Sequence, residues 1–429
     1  MEKILILTYS FPPCNLTASQ RVKGWAKYLA ELGYYPVIIT RNWDVEITTP
    51  QDAYASAGQN IVHEVHENYE VYFMPYRSNL SGKMYMKFGD EKLRFIRKFF
   101  TFSELILQNF FTSVIPYNNI YSFAKKYLHQ HRDIKKVLIT ANPFIMFKFG
   151  YLLSKKAHVK WVADYRDDWT TDELKVRKTL FEKMLLKIDR KKELKWVGTA
   201  NLITTVSDNY LQKILRLFPD SKGAVIYNGY LEEDAKYKNS SDKKKFIITF
   251  NGTLYVSQPV EIFLEALKTI IDLFAAKLEI KILFPGLAYN ATQANRVAGI
   301  MRKYPGNIVI SGRIERDKVL KMQAESQLLL MIAHTNIKGV PSSKLFEYIG
   351  LHKPILVCPG DMDIIDKLVT ETGLGIICNT SNELINKLKW IINRYLETGE
   401  INVKPDSAVI ANYSRYEQVK KLAGLLDKL

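Results

Sequence analysis

The stretch KILILTYSFPPCNLTASQRVKGWAKYLAELGYYPVIIT, residues 3–40, has the pattern of a strand, a helix and a second strand. KILILTYS is a continuous apolar run that leads into two prolines, which is typical of a strand buried on both faces of a parallel sheet. Apolar residues at helical spacing follow as far as Gly33, and Ser19 is the expected N-cap. YPVIIT, residues 35–40, is the next buried strand. This βαβ unit predicts a doubly wound, parallel-sheet α/β fold.

The alternation of apolar, strand-like runs with helical or polar segments continues to residue 230 and begins again after a polar stretch. LEEDAKYKNSSDKKK, residues 231–245, has no periodicity, which predicts a linker. Apolar runs ending in Gly or Asn then recur, beginning with FIITFNG and LEIKILFPG. The chain of 429 residues should therefore form two domains, residues 1–230 and 246–410, with residues 411–429 as a C-terminal helix packing back on the first domain. Ligands of such folds bind at the carboxyl ends of the strands, which predicts a central cleft as the site.

The composition indicates which class of protein the chain belongs to. With 47% hydrophobic and 24% charged residues, the chain has the profile of a folded soluble protein. No apolar run reaches the roughly 18 residues of a membrane span. MEKILILTYSFPP has an acid at position 2 and resembles a buried strand more than a secretory signal, so we expect a cytoplasmic protein. Three scattered cysteines predict neither a disulfide framework nor a zinc site.

The net charge of +17 favours an anionic partner, such as phosphates, acidic lipids or nucleic acid. The segment from Lys83 to Phe100, KMYMKFGDEKLRFIRKFF, has six basic residues against two acids, interleaved with aromatics. Two interpretations stay open for it. It is a peripheral contact with the anionic inner face of the cytoplasmic membrane, or a solvated helix whose Phe residues enter the domain core. Nucleic acid is not expected, because no recognisable binding module is present.

KGVPSSKLFEYIG, residues 338–350, contains the most informative local pattern. Gly339 and Pro341 predict a turn, after which Ser342 or Ser343 caps a helix. The start of a helix directs free N–H groups and a positive dipole end at an anion such as a diphosphate.

Two side chains on that predicted helix extend the anion site. Lys344 adds a mobile cation, and Glu347, near the same face, can accept hydrogen bonds from ribose hydroxyls. The alternative is an ordinary capped helix with a solvated Lys–Glu pair.

These blocks resemble family 4 retaining glycosyltransferases of the bacterial surface-polysaccharide type, which have the GT-B fold of two Rossmann-like domains facing a cleft. G-x-P-x-x-K-x-x-E-Y followed by G-x-x-K-P-I-L, within residues 338–356, resembles the family's donor-binding loop. LTYSFPP, ADYRDDWT, TVS with VIYNGY, FNGTLY and SGRIERDKVLKMQAESQLLLMI resemble further family blocks in matching order. The resemblance spans nearly the whole chain and is poorest over residues 45–130.

The resemblance implies a metal-independent, retaining transfer of a sugar from a UDP- or GDP-sugar to a glycan or lipid-linked acceptor in cell-surface polysaccharide synthesis. It implies no cofactor besides this nucleotide-sugar substrate. The donor-binding residues that it implies are Gly252, Thr253, Gly312, Arg313, Ser342, Ser343, Lys344 and Glu347. It implies a catalytic loop containing Asp164, Arg166 and Asp167, and acceptor-binding roles for Arg21 and Asn142.

The chain also departs from the family pattern. Gly339 stands eight positions before Glu347, where the family often has an acid, and LYVSQPVE lacks the cations that commonly follow the first donor-domain strand. CNLTAS replaces a Gly-Gly loop. Two alternatives therefore stay open: a GT-B-fold nucleotide-sugar epimerase, and a non-catalytic member that binds a glycan or a membrane. In ADYRDDWT, a structural alternative is that Asp167 or Asp168 caps a following helix.

Overall fold

The structure is a computed structural model that describes residues 1–89, 92–175, 177, 179–233, 244–340 and 342–429. It contains two compact units. The N-terminal unit is Met1–Ile226 with Val419–Leu429, and the C-terminal unit is Tyr227–Gln418. The division predicted from the sequence, with its linker at residues 231–245, stays a prediction, since residues 234–243 lie outside the described residues.

The N-terminal unit is built on an eight-stranded sheet. Its strands are β1 Glu2–Leu7, β2 Tyr34–Arg41, β3 Val62–Val65, β4 Glu70–Met74, β5 Lys136–Ala141, β6 Lys160–Tyr165, β7 Leu202–Thr205 and β8 Gly223–Val225. Its helices are α1 Ala18–Tyr28, α2 Leu80–Phe88, α3 Arg94–Phe110, α4 Asn118–Gln130, α5 Met146–Ala157, α6 Leu180–Val197 and α7 Asp208–Leu215. The strand order is β3-β4-β2-β1-β5-β6-β7-β8, and only β3, at the edge, runs antiparallel to its neighbour.

The predicted βαβ unit is present as β1, α1 and β2, with Leu5 paired to Val37. Both strands lie inside the sheet, so their side chains are covered on both faces, as their continuous apolar sequences indicated. The N-cap of α1 is Thr17 and not Ser19. Ser19 lies within the first turn, where its hydroxyl donates to the Leu16 carbonyl at 2.8 Å.

The C-terminal unit contains a six-stranded parallel sheet of order β11-β10-β9-β12-β13-β14. Its strands are β9 Lys245–Thr249, β10 Glu279–Phe284, β11 Ile308–Ile310, β12 Leu328–Met331, β13 Ile355–Val357 and β14 Gly375–Ile377. Its helices are α8 Val260–Phe274, α9 Ala291–Ile300, α10 Arg316–Glu325, α11 Ser343–Gly350, α12 Ile364–Glu371, α13 Ser381–Thr398 and α14 Ser407–Ala411, and α15 Arg415–Leu426 crosses into the N-terminal unit.

Helices cover both faces of the C-terminal sheet. Leu328 and Leu330 of β12 belong to the apolar core formed with α8 and α13, while Leu329 and Met331 belong to the core formed with α11 and α12. This alternation is that of a doubly wound sheet. The predicted fold class, two parallel-sheet α/β domains, is confirmed. Within the described residues, each helix is too short or too polar to pass through a bilayer.

Each sheet has one point at which the order of its strands reverses. In the N-terminal unit this point lies between β1 and β5, and in the C-terminal unit between β9 and β12. The connections on the two sides of such a point run to opposite faces and leave a crevice outside the carboxyl ends of the two strands. We call these places the N-terminal and the C-terminal switch points.

Candidate functional site

Turns that contain glycine lie side by side after β9, β10 and β11. The N–H of Gly252 donates to the Pro285 carbonyl at 2.8 Å, and the N–H of Gly286 donates to the Gly312 carbonyl at 3.1 Å. Gly252 and Gly286 both have φ of 85°, in the left-handed region that glycine tolerates without strain. A Cβ on Gly286 would lie 3.3 Å from the Gly252 Cα, so the two turns are in close contact. A bare backbone surface results, with Thr253 partly exposed beside it.

The structure therefore brings the predicted donor residues Gly252 and Gly312 together through Gly286, which the sequence analysis did not single out. LFPG has the same pattern as FNG, a buried strand that ends in glycine, so the signal was present. A Cβ on Gly252 would meet nothing within 4 Å, which means that the space above this turn is open.

Helix α11 begins beside the C-terminal switch point. Ser342 is its N-cap, and within the described chain the Ser342 side chain makes no capping bond to the helix. Ser343, the first helical residue, accepts a hydrogen bond from the Asn228 amide at 3.2 Å. The Ser342 side chain thus does not cap the first turn in the way that the sequence predicted. The N–H groups at the start of α11 remain suited to bind an anion. Pro341 lies outside the described residues.

Lys344 extends from the first turn of α11 to the end of β9. Its ammonium nitrogen lies 3.8 Å from the centroid of the Phe250 ring, which is a cation–π distance. Burial lowers the pKa of Lys344 to about 7, against the opposing influence of Glu347. The amine is therefore held with little hydration and in partial charge at neutral pH, and an anion beside it would favour the charged form.

Glu347 lies one turn further along α11 and is partly exposed. Its Oε1 is 3.8 Å from the Arg316 guanidinium, at the start of α10. The next residue, Tyr348, is buried, and its hydroxyl accepts a hydrogen bond from the Asn251 N–H at 3.0 Å. This bond joins α11 to the end of β9. Sequence reasoning did not find Arg316, because its approach to Glu347 depends on the tertiary fold.

The loop after β12 supplies a further residue that the sequence analysis missed. His334 Nδ1 lies 2.7 Å from the Ser257 hydroxyl, and the Tyr255 ring packs against the imidazole with centroids 5.4 Å apart. Burial first and the Lys344 charge second lower the pKa of His334. Ser257 and Tyr255 belong to the segment LYVSQPVE, which lacks the cations of the family pattern. An imidazole thus lies beside that segment.

Two other residues of the donor side have clear positions: Gly339, where the chain departs from the family pattern, and the predicted donor residue Arg313. Gly339 has φ of 79°, so an L-amino acid would be strained where the family often has an acid. Arg313 is exposed after β11, and its guanidinium carbon lies 4.4 Å from the centroid of the Tyr289 ring. The ring holds this cation next to the glycine turns, and its predicted contact with a nucleobase stays a prediction.

In the N-terminal unit, Asp164 and Arg21 form a buried, bidentate ion pair. Arg21 Nε lies 3.0 Å from Asp164 Oδ2, and Arg21 Nη2 lies 2.7 Å from Oδ1. The hydroxyls of Thr140 and Thr204 also donate to the carboxylate, at 2.8 and 2.7 Å. Each carboxylate oxygen therefore accepts two hydrogen bonds. The predicted catalytic role of Asp164 and acceptor role of Arg21 stay predictions, and the geometry suits positioning of the surrounding strands.

Arg166 and Asn142 meet at the N-terminal switch point. Arg166 Nε donates to the Ala141 carbonyl at 2.8 Å, and its Nη2 donates to the Asn142 carbonyl at 3.0 Å. Burial lowers the pKa of Arg166, with Asp167 and Asp164 opposing the shift. The side chains of Asn142 and Asp167 are exposed there. This unit thus places three of its predicted site residues at the carboxyl ends of β5 and β6.

Asp168 is buried in the loop after β6, and α6 does not begin until Leu180, with Thr179 as its cap. Neither Asp167 nor Asp168 caps this helix, so the alternative interpretation that one of them does is wrong. Burial raises the pKa of Asp168 to about 7, while Lys213 and Thr171 oppose the shift. Among the described residues, no group of three acid, histidine or cysteine side chains could hold a metal ion.

No family model matches the chain, and no curated protein is similar to it in sequence. Solved structures are similar to it over essentially their full length. Sucrose-phosphate synthase from Thermosynechococcus elongatus has 12% identity and a TM-score of 0.63, covering 100% of this chain and 98% of its own. HepE from Anabaena, solved with UDP and glucose, has 13% identity and a TM-score of 0.60, with 100% of both chains covered. A glycosyltransferase from Rickettsia africae has 15% identity and a TM-score of 0.62, with 99% and 98% covered. The chain thus has the GT-B fold that these structures share.

Proposed function

We propose that the chain is a glycosyltransferase that moves a sugar from a UDP- or GDP-sugar to a hydroxyl of a glycan or lipid-linked acceptor, with retention of configuration. Its place would be the synthesis of a cell-surface polysaccharide. One observation carries the proposal. At the C-terminal switch point, the glycine turns after β9 to β11, the start of α11, Lys344 and Glu347 come together. This set suits a ligand with an anionic diphosphate and a hydroxyl-bearing ribose.

In the proposed donor complex, each feature would recognise one part of the nucleotide sugar. The diphosphate would bind the first-turn N–H groups of α11 and Lys344, with Gly252 allowing close approach of the backbone. The Glu347 carboxylate would accept hydrogen bonds from the ribose hydroxyls. Arg313 and Gly312 would lie on the nucleobase side. HepE, solved with UDP and glucose, supports a nucleotide-sugar ligand by analogy of fold.

The proposed chemistry requires no covalent intermediate with the protein. The bond between the anomeric carbon and the diphosphate oxygen breaks as the acceptor oxygen bonds to the same face of the sugar. The acceptor proton passes to a diphosphate oxygen, and Lys344 with the helix N–H groups stabilises the charge that develops on the leaving group. We therefore propose that catalysis is metal-independent. In the N-terminal unit, the exposed residues Asn142 and Asp167, with the partly buried Arg166, are proposed to face the acceptor and the donor sugar.

Donor binding is the first test. Titration calorimetry with UDP-glucose, other UDP-sugars and GDP-sugars would identify the donor. Glu347→Ala should weaken its binding about 10- to 100-fold, because a charge-assisted hydrogen bond contributes roughly 1.5–3 kcal/mol. The matched control is Glu325→Ala on α10, where the glutamate contacts only Lys321, at 4.0 Å, among the described ion pairs. Failure of every nucleotide sugar to bind at millimolar concentration would refute the transferase proposal and leave the non-catalytic alternative.

Product analysis separates transfer from epimerisation. Incubation of the donor with lipid-linked and glycan acceptors, followed by NMR of the anomeric proton, should show a glycoside with the configuration of the donor. An epimerase would convert the nucleotide sugar itself without any acceptor. Activity that disappears with EDTA and returns with a divalent cation would contradict the metal-independent mechanism.

A further inference from the structure

Helix α3 presents an apolar stripe to solvent. Phe95, Phe99, Phe102, Ile106 and Phe110 follow one another at intervals of three or four residues, which places them along one side of the helix. Phe95 is 87% exposed, Phe99 66% and Phe110 74%. No residue of α3 is buried in the described chain. The apolar side of this helix therefore faces away from the core of its unit.

Polar contacts attach α3 to the rest of the N-terminal unit. Glu104, the one acid in α3, accepts hydrogen bonds from the Asn79 amide at 2.6 Å and the Ser81 hydroxyl at 2.5 Å. At the other end, the buried Lys148 ammonium donates to the carbonyls of Gln108 and Asn109, at 2.5 and 3.0 Å. On a helix at the surface of a soluble protein, the apolar side normally faces the core. On α3 the apolar side faces away from the core instead, which indicates that an apolar partner covers it.

The start of α6 continues the apolar stripe. The rings of Phe102 and Phe181 lie 5.1 Å apart, so the two helices are in contact there. Leu180 is 86% exposed, and Met184 also reaches the surface. Together with α3 these residues form a surface of aromatic and aliphatic side chains drawn from two helices.

A row of lysines lies along α6 behind Leu180. Lys183, Lys187, Lys191 and Lys195 are exposed and recur every four residues, which places them on the same side of the helix as Leu180. On α3, Arg94 and Lys98 lie on the flank of the apolar stripe. We call the apolar residues of α3 and α6 with these cations the α3–α6 face. Its apolar centre and cationic border match the apolar interior and anionic headgroups of a lipid bilayer.

We propose that the α3–α6 face docks the N-terminal unit on an anionic lipid bilayer, with the phenylalanines among the acyl chains and the lysines at the headgroups. The exposed area of four of its phenylalanines, Phe95, Phe99, Phe110 and Phe181, is roughly 550 Å² when a ring side chain has about 200 Å². That area alone lies near the upper end of the range for the largest apolar patch of a typical monomer, about 300–600 Å². A second copy of the chain fits less well, because it would bring two rows of lysines together.

This surface refines the membrane contact predicted for the segment from Lys83 to Phe100. Residues 83–88 of that segment lie in α2, which packs on α3. Phe95 and Phe99 are exposed, so the alternative in which its Phe residues enter the core is wrong for these two. The apolar surface extends past residue 100 to the end of α3 and onto α6. Asp90 and Glu91 lie outside the described residues.

Vesicle flotation of the full chain tests the proposal. The chain should float with phosphatidylcholine vesicles that contain phosphatidylglycerol, and less with pure phosphatidylcholine. Phe95→Ser combined with Phe99→Ser and Phe110→Ser should abolish flotation, because it removes the rings proposed to enter the acyl chains. The three rings are largely exposed, so we expect the variant to fold. Lys183→Gln with Lys187→Gln and Lys191→Gln should weaken binding about 100-fold on anionic vesicles, at about fivefold for each charge near the surface.

Matched controls come from exposed residues of the C-terminal unit. Leu273→Ser with Trp390→Ser removes exposed apolar side chains elsewhere, and Lys303→Gln with Lys387→Gln and Lys404→Gln removes three exposed charges. Both controls should float like the unaltered chain. The proposal is overturned if the unaltered chain does not float, or if the triple Phe variant floats equally well.

Sedimentation velocity of the unaltered chain and the triple Phe variant tests whether a second copy of the chain covers the α3–α6 face instead of a membrane. A dimer that the Phe substitutions dissociate, in a chain that does not float, would assign the face to a second copy and overturn membrane docking. The triple Phe variant should keep the donor affinity of the unaltered chain, because the substitutions lie in the N-terminal unit on an outer helix. Membrane docking and nucleotide-sugar transfer can therefore fail independently.

Discussion

The two switch points of this molecule use their polar groups in opposite ways. At the C-terminal one, the glycine turns expose bare backbone, the Ser342 side chain leaves the start of α11 without a capping bond among the described residues, and Lys344 is poorly hydrated. Beside the N-terminal one, Arg21 and Asp164 bind each other, and both carboxylate oxygens are satisfied by four hydrogen bonds from three side chains.

This difference indicates a division of work. Lys344 and the N–H groups at the start of α11 are poorly hydrated, so an anion that binds there is strongly stabilised. The C-terminal switch point is therefore suited to bind a ligand. A closed, buried ion pair has little capacity left for a ligand but fixes the strands around it. In the proposed complex, ligand contacts at the N-terminal point would therefore be made by the exposed residues Asn142 and Asp167, with Arg166 holding the loop.

Breaking the Arg21–Asp164 pair should have the largest effect. Arg21→Met leaves the Asp164 carboxylate buried with only the Thr140 and Thr204 hydroxyls, and we expect the free energy of unfolding of the N-terminal unit to fall by about 3–5 kcal/mol. Urea unfolding followed by tryptophan fluorescence reports on this unit, because Trp25, Trp43, Trp161, Trp169 and Trp196 lie in it and only Trp390 lies in the other.

Lys268→Met is the control for that substitution. Lys268 forms a more exposed pair with Glu265, so its loss should cost less than about 1 kcal/mol. Equal losses for the two variants would contradict the structural role of the buried pair. Asp164→Asn adds a further distinction, since a substrate-contacting carboxylate would lose activity with little change in unfolding.

Asp168 contrasts with Asp164. Both side chains are buried, but the surroundings of Asp168 disfavour its charged form. Its pKa of about 7 lies above the usual 3.8, so the folded state holds a proton there that the unfolded state releases. The resulting stabilisation is complete below about pH 4 and is lost as the pH rises through 7. Asp168→Asn should therefore stabilise the chain at pH 8, by up to about 4 kcal/mol, and have little effect at pH 4.

Thermal melts of both proteins across this pH range measure the difference. A gain that is equal at pH 4 and pH 8 would show that packing, and not ionisation, is responsible. Lys213 keeps its contact with Glu173, at 2.9 Å, in the variant, so the lost 3.9 Å contact with Asp168 is a small part of the balance.

The fold could be predicted because strands buried on both faces of a parallel sheet have continuous apolar sequences, as in β1 and β2. Strand β3 shows the limit of this signal. All four of its residues are exposed, so its antiparallel place at the sheet edge depends on pairing with β4 and not on burial. Periodicity also identified an amphipathic segment near α3 but did not show which side faces outward, since the same spacing serves a core or a bilayer.

The candidate site was predictable where its parts are close in sequence. Lys344 and Glu347 lie three residues apart, so a helix brings them together without any knowledge of the tertiary fold. His334, Gly286 and Arg316 were missed because they join the site through loops and helices that follow other strands. The pairing of Arg21 with Asp164 spans 143 residues, and no local pattern predicts it.

The proposed donor affinity should depend on pH through Lys344. Its amine is charged at pH 6 and largely neutral at pH 8, because its pKa in the free chain is about 7. A bound diphosphate favours the charged form, so the dissociation constant of a nucleotide sugar should rise about tenfold from pH 6 to pH 8. Burial and the Lys344 charge lower the pKa of His334, which shifts its titration toward more acidic pH. Lys344→Arg, which keeps its charge, should flatten the profile, and an equal pH dependence in that variant would assign the titration to another group.

Gly252→Ala should have a modest effect on stability and bears most directly on the openness of the C-terminal switch point. The new Cβ meets nothing within 4 Å, so only the left-handed φ of 85° is unfavourable, at about 1–2 kcal/mol of unfolding free energy. Gly299→Ala is the matched control, since this helical glycine of α9 also has open space around it and should gain about 0.5–1 kcal/mol. If the Gly252 turn cradles the diphosphate, calorimetry should show weaker donor binding for Gly252→Ala alone, because the methyl group occupies the space that the phosphate needs. Unchanged donor binding with the expected loss of stability would mean that this turn only shapes the loop, and the anion site would then consist of the start of α11 and Lys344.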